Sequence, residues 1–93
     1  MNATIEIDCP AAEETVAPGH YTFRVSASEA LLEAEISIDG GPWHPCRHAC
    51  GLWWFDWDDA RCGEHEVATR GTTRDGEAVN SHFRRFNVKA RGR

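Results

Sequence analysis

Apolar and polar residues alternate with a period of two along most of the chain, which predicts half-buried strands and not helices. Tyr21-Thr22-Phe23-Arg24-Val25-Ser26-Ala27 is a clear run, and Glu33-Ala34-Glu35-Ile36-Ser37-Ile38-Asp39 repeats it with Ala34, Ile36 and Ile38 facing in. Ile5 and Ile7 alternate in the same way near the start, and parity places Cys9 on their inner face. Trp53, Phe55 and Trp57 share one side of a tryptophan-rich strand, and His65, Val67 and Thr69 continue the inward set in the next. Phe83 and Phe86 differ in parity, so the final strand is expected to carry a bulge near Arg84-Arg85.

Turn residues separate these runs. Ala17-Pro18-Gly19 precedes the second strand, Asp39-Gly40-Gly41-Pro42 ends the third, and Asp75-Gly76 sits between the last two. Ser28 to Glu33 is the one stretch with helical character; it is too short for a stable helix and is expected to be a loop with one helical turn. Short strands with regular turns and almost no helix predict a β-sandwich. Trp43, Trp53 and Trp57 are expected to fill its core. The chain has no internal repeat, and looseness is expected only at residues 1–3 and 90–93.

Composition narrows the class. Ninety-three residues suit one domain, and 41% hydrophobic with 27% charged residues excludes a disordered chain. No apolar run approaches the roughly 18 residues of a membrane span. The net charge of -5 argues against a nucleic-acid partner. Residues 1–69 carry thirteen acids against three arginines, a net of -10, whereas residues 70–93 carry seven bases against two acids, a net of +5. That contrast points either to pairing within the domain or to an acidic partner, and the first is favoured. The N-terminal stretch lacks the basic and apolar regions of a secretory signal, which implies the cytoplasm if Met1 is the natural start. Excision from a longer secreted protein would instead imply disulfides.

The stretches Ile36-Ser37-Ile38-Asp39-Gly40-Gly41-Pro42-Trp43, Trp53-Trp54-Phe55-Asp56-Trp57-Asp58 and Gly63-Glu64-His65-Glu66-Val67-Ala68-Thr69-Arg70 follow one another in order. This order resembles bacterial immunoglobulin-like modules, among them the C-terminal dimerisation domain of molybdenum-dependent sulfite oxidases. The resemblance covers about residues 4–88. It implies a single all-β, immunoglobulin-like β-sandwich of about seven antiparallel strands, ordered over about residues 4–89, that serves binding or assembly. Two features depart from the pattern: Arg70-Gly71-Thr72-Thr73 stands where these modules usually have Arg-Ala-Thr-Asp, and three cysteines fall within residues 46–62. No molybdenum-cofactor domain is present, so oxidase activity does not carry over.

Four groups of residues could carry chemistry. Cys9, Cys46, Cys50 and Cys62 could form two disulfides, remain free thiols, or ligate zinc through Cys46, His48, Cys50 and Cys62. Among the bridges, Cys50–Cys62 is preferred, because it would staple the loops at the two ends of the tryptophan strand. The five histidines form no Ser/His/Asp or Cys/His arrangement, so no enzyme is expected, and His65 is expected to hydrogen-bond inside the domain. Trp54 points opposite to Trp53 and Trp57 beside Asp56, Asp58 and Asp59, where it could anchor a protein interface or be partly covered by Leu52 and neighbouring loops, the second being favoured. A sugar ranks below a protein there, and no spaced calcium loop is visible. Arg84 and Arg85, with Lys89, Arg91 and Arg93, load the last strand with positive charge. That charge would guard a free sheet edge or receive an acidic partner, and the guard is favoured. The expectation is therefore a non-enzymatic protein-interaction or assembly module without a cofactor. Its patch would comprise Trp54, Asp56, Arg84 and Arg85, and its partner would be another protein or a second copy, with neither nucleic acid nor membrane. The alternative is a small zinc- or ligand-binding domain.

Overall fold

The computed structural model describes residues 3–90, and all regular structure among them is β. The strands in chain order are β1 (Ile5–Cys9), β2 (Thr15–Val16), β3 (Gly19–Ala27), β4 (Leu31–Ile38), β5 (His44–Pro45), β6 (Arg47–Ala49), β7 (Leu52–Ala60), β8 (Gly63–Thr73), β9 (Ala78–Asn80) and β10 (Arg84–Val88). One sheet has the order β1-β3-β7-β6; the other runs β2-β10-β8-β4-β5, with β9 also paired to β8. Two layers closing over a shared interior make this a β-sandwich. Ten strands replace the expected seven because the margins consist of two- and three-residue pieces: β2, β5, β6 and β9. All pairings are antiparallel except β2 with β10.

The period-two residues meet where parity put them. Ile5, Ile7, Phe23, Val25, Ala34, Ile36, Trp53, Val67, Phe86 and Val88 are buried in one cluster. Phe23 lies at its centre, edge-on to Tyr21 at 5.2 Å and to Phe86 at 5.7 Å, and tilted against Trp57 at 5.7 Å. Each such side chain contributes roughly 1.5–3 kcal/mol by leaving water. Trp43 departs from expectation. It is only half-buried, and the guanidinium of Arg70 lies 4.1 Å over its ring, so it belongs to an outer face.

Two local expectations are corrected. Ser28 to Glu33 forms no helical turn; β4 already begins at Leu31, with a register shift between Leu31 and Glu33. Leu31 is drawn inward because Gly71 on β8, the cross-strand partner of Ala34, leaves its side chain room: a Cβ there would meet Leu31 Cδ1 at 2.7 Å and the Glu33 carbonyl at 3.0 Å. The interruption in the last strand falls at Ser81–Phe83, not at Arg84-Arg85, and divides β9 from β10. The Ser81 amide still donates to the Thr69 carbonyl (2.9 Å) and Ser81 Oγ accepts from the Thr69 amide (2.9 Å). The ladder therefore continues through Ser81, and the parity change is absorbed just after it, leaving Phe83 outside.

Candidate functional site

The outer face of the larger sheet carries an open apolar groove of about 360 Å³. Its floor is the cross-strand pair Ser37 and Ala68, two small residues on β4 and β8. Trp43 lines it together with Gly41, and Asn80 and Phe83 line it from the β9–β10 segment. The turn before Trp43 is sharply set. Asp39 and Gly40 both take positive φ (56° and 70°), and the Gly41 amide closes the turn on the Ile38 carbonyl at 3.0 Å. Glycine takes such a φ at no steric cost, which is why the tight reversal sits at Asp39-Gly40. Ser37 Oγ donates to the Gly41 carbonyl at 2.8 Å, and Arg70 Nε, stacked over Trp43, donates to Glu35 Oε1 at 2.8 Å. The indole is therefore clamped while one side of it stays open. Phe83 is 73% exposed. A fixed indole, a small-residue floor and an uncovered phenyl ring can seat an apolar side chain; no lining residue is a nucleophile poised beside a base.

The expected patch does not assemble. Trp54 and Asp56 lie on the outer face of the other sheet, where Trp54 is flanked across the strands by Arg24 and Arg47 and donates Nε1–H to the Ala49 carbonyl at 2.9 Å. Asp56 accepts from Thr22 Oγ1 at 2.7 Å and pairs with Arg47 at 3.2 Å. His20 and Asp58, 2.8 Å apart, extend this ladder of internal pairs. Arg84 is half-buried and donates to the carbonyls of Ile7 (3.0 Å) and Pro10 (2.9 Å), joining β10 to the end of β1. Arg85 is exposed and reaches Glu66 at 3.7 Å on the opposite side of the sandwich from Trp54. Nor is β10 a free edge, since Glu13, Asn87 and Lys89 amides knit it to β2 and the segment before it. The basic pair consequently guards no open edge here; Arg91 and Arg93 lie outside the described residues.

The cysteines are likewise dispersed. Cys50 and Cys62 sit at the two ends of β7, whose nine residues span about 26 Å, whereas a disulfide needs Cα atoms within about 7 Å. Loops at opposite ends of one nine-residue strand cannot touch, so the expected staple between them cannot form. Cys46 is buried whereas Cys50 is exposed at the turn before β7, and Cys62 lies beyond the far end of that strand, so the four expected ligands do not converge. No three His, Cys, Asp or Glu side chains among the described residues are grouped to hold a metal. Cys46 is buried, and that burial, with the charge of Glu35 second, pushes its thiol up to about 11, away from the thiolate a metal requires. His48 stacks on Trp53, ring centres 4.6 Å apart, and covers the core at its margin.

His65 satisfies its expectation of an internal bond. Its Nδ1 lies 2.6 Å from Asp39 Oδ2 and its Nε2 lies 2.7 Å from the Arg61 carbonyl, while Asp39 Oδ1 accepts the Glu66 amide at 2.9 Å. Burial disfavours the imidazolium, but the Asp39 hydrogen bond, the Arg61 carbonyl and the Asp39 charge outweigh it and raise the His65 pKa above its ordinary value.

Sequence reasoning missed the groove. Its one signal was the clash of parity between Phe83 and Phe86, which marks an aromatic the core cannot hold. Trp43 gave none, because two-residue β5 offers no period to read.

No family model matches the sequence, and no curated protein matches it. Solved structures do. The chain is similar to fibronectin(III)-like modules of CbhA from Clostridium thermocellum (18% identity, 96% of this chain and 99% of that one, TM-score 0.72). It is similar to CopC from Methylosinus trichosporium OB3b (18% identity, 100% and 94%, TM-score 0.72). It also matches an engineered protein (19% identity, TM-score 0.76), of whose length it spans 20%. Likeness at this identity shows the fold: an immunoglobulin-like or fibronectin-III-like β-sandwich.

Proposed function

We propose that this domain is a non-enzymatic protein-interaction or assembly module that takes an apolar side chain of its partner between Trp43 and Phe83. The observation that carries this reading is the 73% exposure of Phe83 beside a groove floored by Ser37 and Ala68. A large aromatic left in water beside an open apolar groove is the usual anchor of a contact with another protein. Likeness to fibronectin(III)-like modules supports the same class. A second copy of the chain is the partner that the resemblance to sulfite oxidase dimerisation domains would suggest, and a different protein is the other.

Covering the exposed part of the Phe83 ring removes about 150 Å² from water, worth roughly 3 kcal/mol, on the order of a hundredfold in Kd. Phe83→Asp is expected to abolish association while leaving the denaturation midpoint nearly unchanged, because the ring packs little within the domain. Sedimentation velocity across protein concentration reads self-association, and a photo-crosslinking phenylalanine analogue at position 83, in cells of origin, reads a different partner. A monomer at every concentration together with no crosslinked protein would refute the proposal.

A further inference from the structure

The start of β8 holds a device that the groove does not use. Immunoglobulin-like sandwiches commonly close the turn between the strands corresponding to β7 and β8 with a tyrosine near the start of the second strand, whose hydroxyl bonds to backbone a few residues upstream. Here His65 fills that place. It is the third residue of β8, its side chain is 13% exposed, and it reaches back four residues to the Arg61 carbonyl at 2.7 Å. Its ring is packed edge-on to Trp57 (5.1 Å) and tilted against Phe86 (5.7 Å), so it cannot swing to another partner without opening the core.

A tyrosine donates at any ordinary pH; a histidine in this geometry does not. Both atoms facing the ring nitrogens are acceptors, one a carboxylate oxygen and the other a carbonyl oxygen. Serving both needs two N–H groups, hence the imidazolium. The neutral ring has one proton. The bond to the charged Asp39 is the stronger, so the proton remains on Nδ1, and the Nε2 lone pair then faces the Arg61 carbonyl. The other charged groups around the ring are Glu64 and Glu66 on β8 and Arg85 on β10, which with Asp39 line the opening above it. The two extra carboxylates favour the cation, Arg85 opposes it, and Arg85 is already engaged with Glu66 at 3.7 Å.

We propose that His65 is a histidine corner: the imidazolium pins the turn at residues 61–62 to the sandwich, and loss of the Nε2 proton releases that turn. The sign follows from a folded-state pKa above the unfolded one. The stabilisation is fully present below the unfolded value and is lost as pH rises through the folded value. This inference is independent of any partner.

The test uses the intact protein between about pH 5 and pH 9. Nitrogen-15 NMR of the His65 ring is expected to show both nitrogens protonated at low pH and the Nδ1–H tautomer above the transition. Over the same range, amide exchange at residues 61–63, corrected for its intrinsic pH dependence, is expected to rise by up to about tenfold, the worth of one hydrogen bond. In His65→Gln, which donates but does not titrate, the corrected exchange is expected to stay flat. An Nε2–H tautomer at high pH, a flat profile in the wild type, or the same rise in the glutamine variant would each overturn the proposal. Should His65→Gln fail to fold, the wild-type tautomer and exchange profile decide it alone.

Discussion

Thr69 and Thr73 offer a sharper test of the sandwich interior than any large core residue. Both face inward on β8, four residues apart, and both are 1% exposed. Their hydroxyls fare differently: Thr69 Oγ1 is buried with no hydrogen-bond partner among the described residues, whereas Thr73 Oγ1 accepts the Glu77 amide at 3.0 Å. An unpaired buried hydroxyl costs about 1–3 kcal/mol. Valine has nearly the same shape, the same branching at Cβ and a high preference for strands. Thr69→Val leaves the backbone bonds to Ser81 in place and is expected to stabilise the domain by about 1–2 kcal/mol, or roughly 4–8 °C in Tm for each kcal/mol. Thr73→Val removes the acceptor for the part-buried Glu77 amide and is expected to destabilise by about 1 kcal/mol. Urea denaturation reads both as midpoint shifts at constant slope. The same substitution on one strand at equal burial should thus give opposite signs. A loss of stability in Thr69→Val, or a shift of the same sign in both, would refute the reasoning.

Two further outcomes follow from the same geometry. Maleimide labelling of the folded protein at neutral pH, followed by peptide mass mapping, is expected to modify Cys50 and Cys62 readily and Cys46 last, since Cys46 is buried and its thiol is pushed up to about 11. Gly71→Ala is expected to cost about 1–3 kcal/mol in urea denaturation, because the new methyl meets Leu31 Cδ1 at 2.7 Å, and Leu31→Val in the same chain should recover part of that loss.

What could be read from the chain was whatever depends on parity. Phe23, Ile36, Val67 and Phe86 are buried because alternation in a two-layer sandwich leaves an inward apolar residue nowhere else to go. The inward parity of His65 was equally legible, and so was its need for an internal partner. The identity of that partner was not: Asp39 is 26 residues away and comes within 2.6 Å only through the β4–β8 pairing. The same holds for Arg84, whose charge suggested a surface role while its position at the start of β10 makes it the donor for the Ile7 carbonyl of β1 and the Pro10 carbonyl just beyond that strand.

The candidate site was the least legible part because it is built from residues that break the period. Trp43 follows a turn and precedes a strand of two residues, so no alternation assigns it a side; Arg70 does, by stacking over it from β8. Phe83 falls in the gap between β9 and β10, where the ladder through Ser81 has ended and Phe86 has yet to turn inward. One strand cannot bury both Phe83 and Phe86 without a skipped residue, and the chain resolves that conflict by leaving Phe83 outside. A polar side chain at position 83 would suit this exposed site at no cost to the core. Retaining phenylalanine in water is thus a feature that folding alone does not account for, and it falls beside an open groove that a second apolar surface would fill.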